Sequence, residues 1–147
     1  MATMQLEIVT AERLVYSEEV NILVAPGIEG ELGILPRHAP LLTVLKPGEI
    51  RVVKDGEETY MAVSGGFLEV LGNRATILAD TAEHAGEIDI ERAETALKRA
   101  QERVEAAPAD MDLERALASM RKSQARLSVA RRRRRRRGEG SAMPPPR

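Results

Sequence analysis

The sequence predicts an α+β protein: an N-terminal antiparallel β-sandwich, a C-terminal antiparallel two-helix hairpin, and a disordered basic, Pro-rich tail. Three observations predict it. Residues 4–80 hold short runs of β-branched and aliphatic residues separated by turn signals, the pattern of a sandwich or barrel. From Ile88 no glycine appears until Gly138, and Ala, Glu, Arg and Leu dominate. After Ala130 the chain reads RRRRRRRGEGSAMPPPR, whose Gly, Ser and Pro end has no means of forming a core. The expected boundaries are 1–85 for the sandwich, 86–133 for the hairpin and 134–147 for the tail.

The strand candidates follow in order. QLEIV alternates and puts Leu6 and Ile8 on one face. VNILV, LLTVL, EIRVV and ATILA are the next apolar runs. Pro26-Gly27 reads as a turn after VNILVA, and Pro47-Gly48 as one before EIRVV. Asp55-Gly56 separates EIRVV from ETYMAV and predicts a hairpin, because glycine takes positive φ without a Cβ clash. Gly72-Asn73 separates FLEVL from ATILA.

In the second half, Ala93, Leu97, Ala100 and Val104 fall on one helical face. Ala106-Ala107-Pro108 ends that helix, since proline cannot continue it. A second helix starts near Asp110 or Asp112 and is lined by Leu113, Leu117, Met120 and Leu127, with Gln124 interrupting. Asp89-Ile90-Glu91-Arg92-Ala93 recurs as Asp112-Leu113-Glu114-Arg115-Ala116, each Asp at an N-cap position worth about 1 kcal/mol over Ala. The seam is mostly alanine. So little apolar area predicts weak docking and a hairpin that rearranges at low cost.

Composition narrows function. With 43% hydrophobic residues in 147 the chain affords a packed core. Its aromatics are only Tyr16, Tyr60 and Phe67, too few to stack single-stranded bases. There is no Cys, so no disulfide framework or thiolate metal site. MATMQLEIVT lacks the basic and apolar regions of a signal peptide, so none is expected. Residues 131–147 carry eight Arg against one Glu, and the rest 14 basic against 22 acidic: an acidic body with a basic tail.

No catalytic constellation is visible. Ser64-Gly65-Gly66 is not a G-x-S-x-G elbow, and Gly65-Gly66 suits a bulge or close packing instead. His38 and His84 are the two histidines, and their spacing suggests no three-ligand metal site. Neither a metal nor a required cofactor is expected.

The stretch GIEGELGILPRHAPLLTVLKPGEIRV, Gly27 to Val52, resembles the epsilon subunit of the bacterial F-type ATP synthase. VSGGFLEV at 63–70, LADTAE at 78–83 and RLSVA at 126–130 are similar to further family segments, in the same order. The resemblance implies a sandwich followed by a hairpin. It also implies a non-catalytic coupling and regulatory subunit, peripheral on the cytoplasmic face of the cell (inner) membrane and reaching the membrane only through the complex. Its implied partners are the gamma subunit and the c-subunit ring through the sandwich. When the hairpin extends and blocks ATP hydrolysis, the alpha and beta catalytic subunits join them.

The resemblance also assigns residues. Glu29 and Glu31 fall in the loop that meets the c ring. His38 orders its own loop or faces gamma. Arg115, Arg121, Lys122 and Arg126 fall on the helix that meets acidic segments of the catalytic core. At the junction, I-D-x-x-R-A marks an ATP site in some family members, and Ile88, Asp89, Arg92 and Ala93 match it. Glu83, Arg99 and Arg126 fall on further site positions, with Lys122 where those members carry Arg, a point charge in place of a bidentate fork.

Two questions stay open at this level. The IDIERA segment reads either as one wall of a site for ATP, a regulatory ligand, or as a plain helix start, as its repeat at Asp112 shows. The Arg run reads as a solvated tail, as a contact to the catalytic core, or as a phosphate binder for nucleic acid or anionic lipid. From the last reading comes the rival function, a small nucleic-acid-binding protein acting through its Arg tail.

Overall fold

The structure is a computed structural model. It describes the backbone of residues 2–106 and 110–140, and side chains over 2–106 and 113–133. Ten strands precede two helices: β1 Met4–Val9, β2 Leu14–Val20, β3 Ile22–Gly27, β4 Gly30–Ile34, β5 Leu41–Leu45, β6 Gly48–Lys54, β7 Glu57–Val63, β8 Gly66–Leu71, β9 Arg74–Ala79 and β10 Ala82–His84. A 3-10 turn, Ala85–Glu87, leads into α1, Ile90–Ala106, and α2, Asp110–Gly140.

The strands form one hydrogen-bonded sheet in the order β10-β7-β6-β3-β5-β8-β9-β1-β2, with β4 paired to β3. A single bridge, Gly27 to Leu45, links β3 to β5. There the sheet turns over on itself, so that the inner faces of both halves share one core. Leu6, Ile8, Leu23, Ile50, Met61, Leu68 and Ile77 fill it and are fully buried. The expected alternation in β1 holds, with Met4, Leu6 and Ile8 inward. Among the described residues no buried side-chain polar atom lacks a hydrogen-bond partner.

The turn chemistry accounts for the register. Asp55 (φ 51°) and Gly56 (φ 80°) both take positive φ between Lys54 and Glu57, a two-residue hairpin whose twist suits the strands. Gly72 and Asn73 do the same between β8 and β9. Gly66 shows why Gly65-Gly66 is needed. A Cβ there would collide with the Leu78 carbonyl oxygen and lie 2.9 Å from Ala79 Cα.

Several expectations are corrected. VNILV is not one strand: Asn21 separates β2 from β3. It is buried there, donating from Nδ2 to the Ala2 carbonyl (2.9 Å) and accepting from Asp55 N–H (2.8 Å). Pro26-Gly27 is not a turn but the end of β3, and the chain reverses at Ile28-Glu29. The sheet is not wholly antiparallel, because β1 runs parallel to β9. Asp112 is not an N-cap. Helix α2 begins at Asp110, which leaves Asp112 inside its first turn. The helix also does not stop at 133 but runs to Gly140, since arginine is a strong helix former. Pro108 and residues 141–147 lie outside the described residues, and with them the proline stop and the remainder of the tail.

On α1 the expected face holds, with Ala93 and Ala100 buried and Leu97 and Val104 half-buried. On α2 the fully buried positions are Ala116, Ser123, Ala125, Leu127, Val129 and Ala130, while Leu113, Leu117 and Met120 are only half-buried. The reason is geometric. Helix α2 touches α1 as well as β6 and β7, so around residues 123–130 it buries more than one face. A second apolar cluster forms there from Ala62, Ile88, Ala93, Leu127, Val129 and Ala130.

Candidate nucleotide pocket between sandwich and hairpin

The outer face of β10, β7 and β6 presents a row in register: Glu83 opposite Ala62, and Ala62 opposite Glu49. Helix α2 lies across this row. The small Ala62 lets the helix approach, and a carboxylate stands on each side. Arg126 reaches Glu83, donating from Nε (2.6 Å) and Nη2 (3.3 Å). Such forked pairing is among the stronger polar contacts, and both side chains here are largely screened from water.

The 3-10 turn sets the neighbouring wall. Glu87 accepts from Arg13 Nη2 at 3.1 Å to each oxygen and from His84 N–H at 3.1 Å. Burial pushes the Glu87 carboxyl upward, but these two donors outweigh it and hold its pKa below the usual range. Asp89 then caps α1. Its Oδ1 accepts from Arg92 N–H (3.2 Å) and its carbonyl from Ala93 N–H (3.0 Å).

These elements enclose a cavity of about 720 Å³ lined by Glu83, Glu87, Asp89, Glu91, Arg92, Thr95, Ala96, Arg99 and Arg126. Arg92, Thr95, Ala96 and Arg99 recur at helical spacing and form its α1 wall. Among the described residues no carboxylate pairs with the Arg92 or Arg99 guanidinium, so two cations face the cavity unengaged while Arg126 is held by Glu83.

Of the sequence-assigned nucleotide residues, Glu83, Asp89, Arg92, Arg99 and Arg126 come together here. Ile88 and Ala93 do not line the cavity but lie beneath it in the apolar cluster, where they seat α1. Lys122, half-buried on α2, is not among the lining residues either. Glu87, Glu91, Thr95 and Ala96 were not foreseen. The last two sit at helical spacing from Arg92, which could have found them. No sequence signal links Glu87 to Arg13, 74 residues away.

The remaining assigned residues are elsewhere. Glu29 lies exposed in the β3–β4 turn, and Glu31 lies exposed on β4, opposite Pro26. The segment read as a loop is thus a tight hairpin. His38 is half-buried, with Nδ1 2.7 Å from the Ala39 carbonyl oxygen and its N–H donating to Leu35 (3.2 Å). Arg115 and Arg121 are exposed on α2. The Ser64 hydroxyl accepts from Thr81 N–H and Oγ1 at 2.9 and 2.8 Å, a link between β7 and β10. No cluster of three or more metal-ligating side chains occurs among the described residues. No helix there is long and apolar enough to cross a membrane.

Comparisons with known proteins agree with this division. Residues 3–85 match the family model of the ATP synthase delta/epsilon chain beta-sandwich domain, and 87–131 that of its long alpha-helix domain. The chain is 57% identical to the ATP synthase epsilon chain of Herpetosiphon aurantiacus over 132 residues, 90% of this chain and 97% of that one. It is 49% identical to that of Desulforamulus reducens over 128 residues, 87% and 97% of the two chains. Its fold is similar to a chain in the OSCP/F1/c-ring structure of Euglena gracilis mitochondrial ATP synthase. The TM-score there is 0.75 at 24% identity, covering 88% of this chain and 82% of that one. With both domains matched in order and full-length relatives at this identity, the chain belongs to the epsilon-chain family of the ATP synthase.

Proposed function

We propose that this chain is a rotor-stalk subunit of a proton-translocating F-type ATP synthase, and that its hairpin is an ATP-sensitive brake on hydrolysis. In the proposal it couples the catalytic core to the c ring, catalyses nothing itself, and sits peripherally on the cytoplasmic face of the membrane. Family membership supports the first part. So does the outer face of β5, β8 and β9. Leu42 and Val44 pair across to Glu69 and Phe67, and Phe67 pairs with Leu78. All four apolar side chains are exposed, a contiguous patch of the kind that marks protein interfaces. We assign it to the gamma subunit, with Glu29 and Glu31 in the β3–β4 hairpin turned to polar loops of the c ring.

The observation that carries the regulatory part is the cavity itself. It takes Glu83 from the sandwich and Arg92, Arg99 and Arg126 from both helices of the hairpin. A polyanion bound among those three guanidiniums ties the hairpin to the sandwich. A ligand that binds only the folded arrangement stabilises it by mass action. ATP meets the charge requirement, and Asp89 or Glu83 can accept from an adenine amino group. In this proposal ATP acts as a signal rather than a substrate.

Calorimetric titration of the full chain with ATP and ADP, beside Asp89→Ala and Arg92→Ala, tests this. ATP binding that disappears in both variants is expected. Absence of heat at about millimolar ATP leaves Asp89 a helix cap and nothing more. Removing residues 131–147 must leave gamma binding intact; loss of all partner binding on that truncation supports the nucleic-acid rival instead.

A further inference from the structure

The first residues of the Arg run are exposed, yet each is engaged by another element of the fold. Arg132 lies one helical turn after Ser128 on α2. Its Nε is 3.1 Å from Glu49 Oε2, and its guanidinium carbon sits 4.7 Å above the centre of the Tyr60 ring. Glu49 also accepts from the Ser128 hydroxyl, one helical turn earlier. Arg131 reaches across to Glu94 on α1 at 3.4 Å. The Arg133 guanidinium covers Gly86, occupying the space a Cβ there would need. Three successive arginines thus reach three different elements: α1, the β6–β7 face and the 3-10 turn.

We propose that Arg131, Arg132 and Arg133 form a latch that clamps this part of α2 to α1, the sandwich and the 3-10 turn. Three features argue for this. Half of the buried apolar residues beneath the helix are alanines, Ala62, Ala93 and Ala130 beside Ile88, Leu127 and Val129, so polar groups add materially to the docking. Arginine suits the task, since its flat cation pairs with a carboxylate and stacks on an aromatic ring at once. Glu49 is held on the far side of Ala62 from Glu83, so Arg126 and Arg132 grip opposite edges of the row that α2 crosses. An external acidic partner for this helix therefore competes with Glu49 for Arg132 and with Glu94 for Arg131. Because the contacts are partly exposed charge pairs, salt weakens the latch.

The proposal rests on the reading of the hairpin as a moving element, but its test uses no nucleotide. Amide hydrogen exchange over 113–133 is measured in the full chain at low and high salt, for the native protein, Arg132→Gln, Glu49→Gln and the swap Arg132→Glu with Glu49→Arg. Arg132→Gln is expected to speed exchange of α2 about fivefold, as loss of one good charge pair with its ring contact implies, and Glu49→Gln about threefold, since Arg132 keeps its place over Tyr60. Exchange within β1 and β9 stays unchanged, and the swap recovers most of the protection. Added salt speeds the native protein more than either single variant. Unchanged α2 exchange in both singles, or equal loosening of the sandwich core, overturns the latch. Failure of ATP to bind these same proteins leaves the latch standing and removes only the nucleotide reading.

Discussion

Arg126 and Glu83 are joined by a forked ion pair across 43 residues of chain, inside the cavity proposed for ATP. Glu83 therefore already fills the position that a phosphate would take on Arg126. A bound nucleotide must either draw Arg126 off this carboxylate or share it. Replacing Arg126 by Ala removes both a docking contact and a phosphate donor. We expect about tenfold weaker ATP binding and faster α2 exchange, read by calorimetry and hydrogen exchange on one sample. Undiminished ATP affinity would place the triphosphate elsewhere.

Asp89→Ala, measured without nucleotide, tests the cap apart from ligand binding. Loss of the Asp89 bond to Arg92 N–H costs about 1 kcal/mol of local helix stability. Amides of Arg92 and Ala93 should exchange roughly fivefold faster without nucleotide, while the melting temperature of the sandwich holds. An unaltered rate at these amides would mean that the Ile88 and Ala93 packing alone fixes the start of α1.

Gly66 in the sandwich tolerates no side chain. Gly66→Ala drives a Cβ into the Leu78 carbonyl at a backbone φ of 143°. Backbone must move in β8 or β9, and we expect a loss of about 3 kcal/mol or more on chemical denaturation. A loss under about 1 kcal/mol would show that the two strands separate easily.

The outer apolar patch separates binding from folding. Phe67→Glu alters an exposed ring, so stability should change by no more than about 0.5 kcal/mol. Binding to gamma should fall by about tenfold or more, measured by co-purification and titration. Full binding by this variant moves the gamma contact off the β5, β8 and β9 face.

Tyr16 and Glu87 contribute to the pH dependence in opposite senses. Burial and the nearby Glu18 push the Tyr16 hydroxyl up to about 12. Its contribution is complete below the ordinary tyrosine pKa and is lost as pH rises from there through about 12. Glu87 is the opposite case: its depressed pKa gives a contribution present above the ordinary carboxylate value and lost as pH falls through the folded one. Stability should thus decline at both extremes, with the acid decline reduced in Arg13→Gln. Identical acid profiles for the two proteins would remove Arg13 from the account.

Much of this was legible in the sequence, and the exceptions have physical causes. Asp55-Gly56 and Gly72-Asn73 reveal their hairpins because both positions need positive φ, a local demand. Strands β2, β4 and β10 were not read. β2 is largely exposed, β4 contains two glycines and β10 is three residues long, so neighbouring strands supply what their own sequences lack. At the site, Arg92 and Arg99 share a helical face by spacing alone. The fork from Arg126 to Glu83, the Arg13 anchor on Glu87 and the Glu49 clamp on Arg132 each join distant segments, and no local pattern encodes them.

The parallel pairing of β1 with β9 also bears on biosynthesis. Leu6 and Ile8 are made first, yet the strand that flanks them ends at Ala79. A nascent chain carries its first strand half-paired, with a raw edge, until nearly all of the sandwich has left the ribosome. Contacts so far apart in sequence close slowly. Half-made chains are therefore the aggregation-prone species, and the helices, synthesised last, emerge when the surface that receives them can already exist.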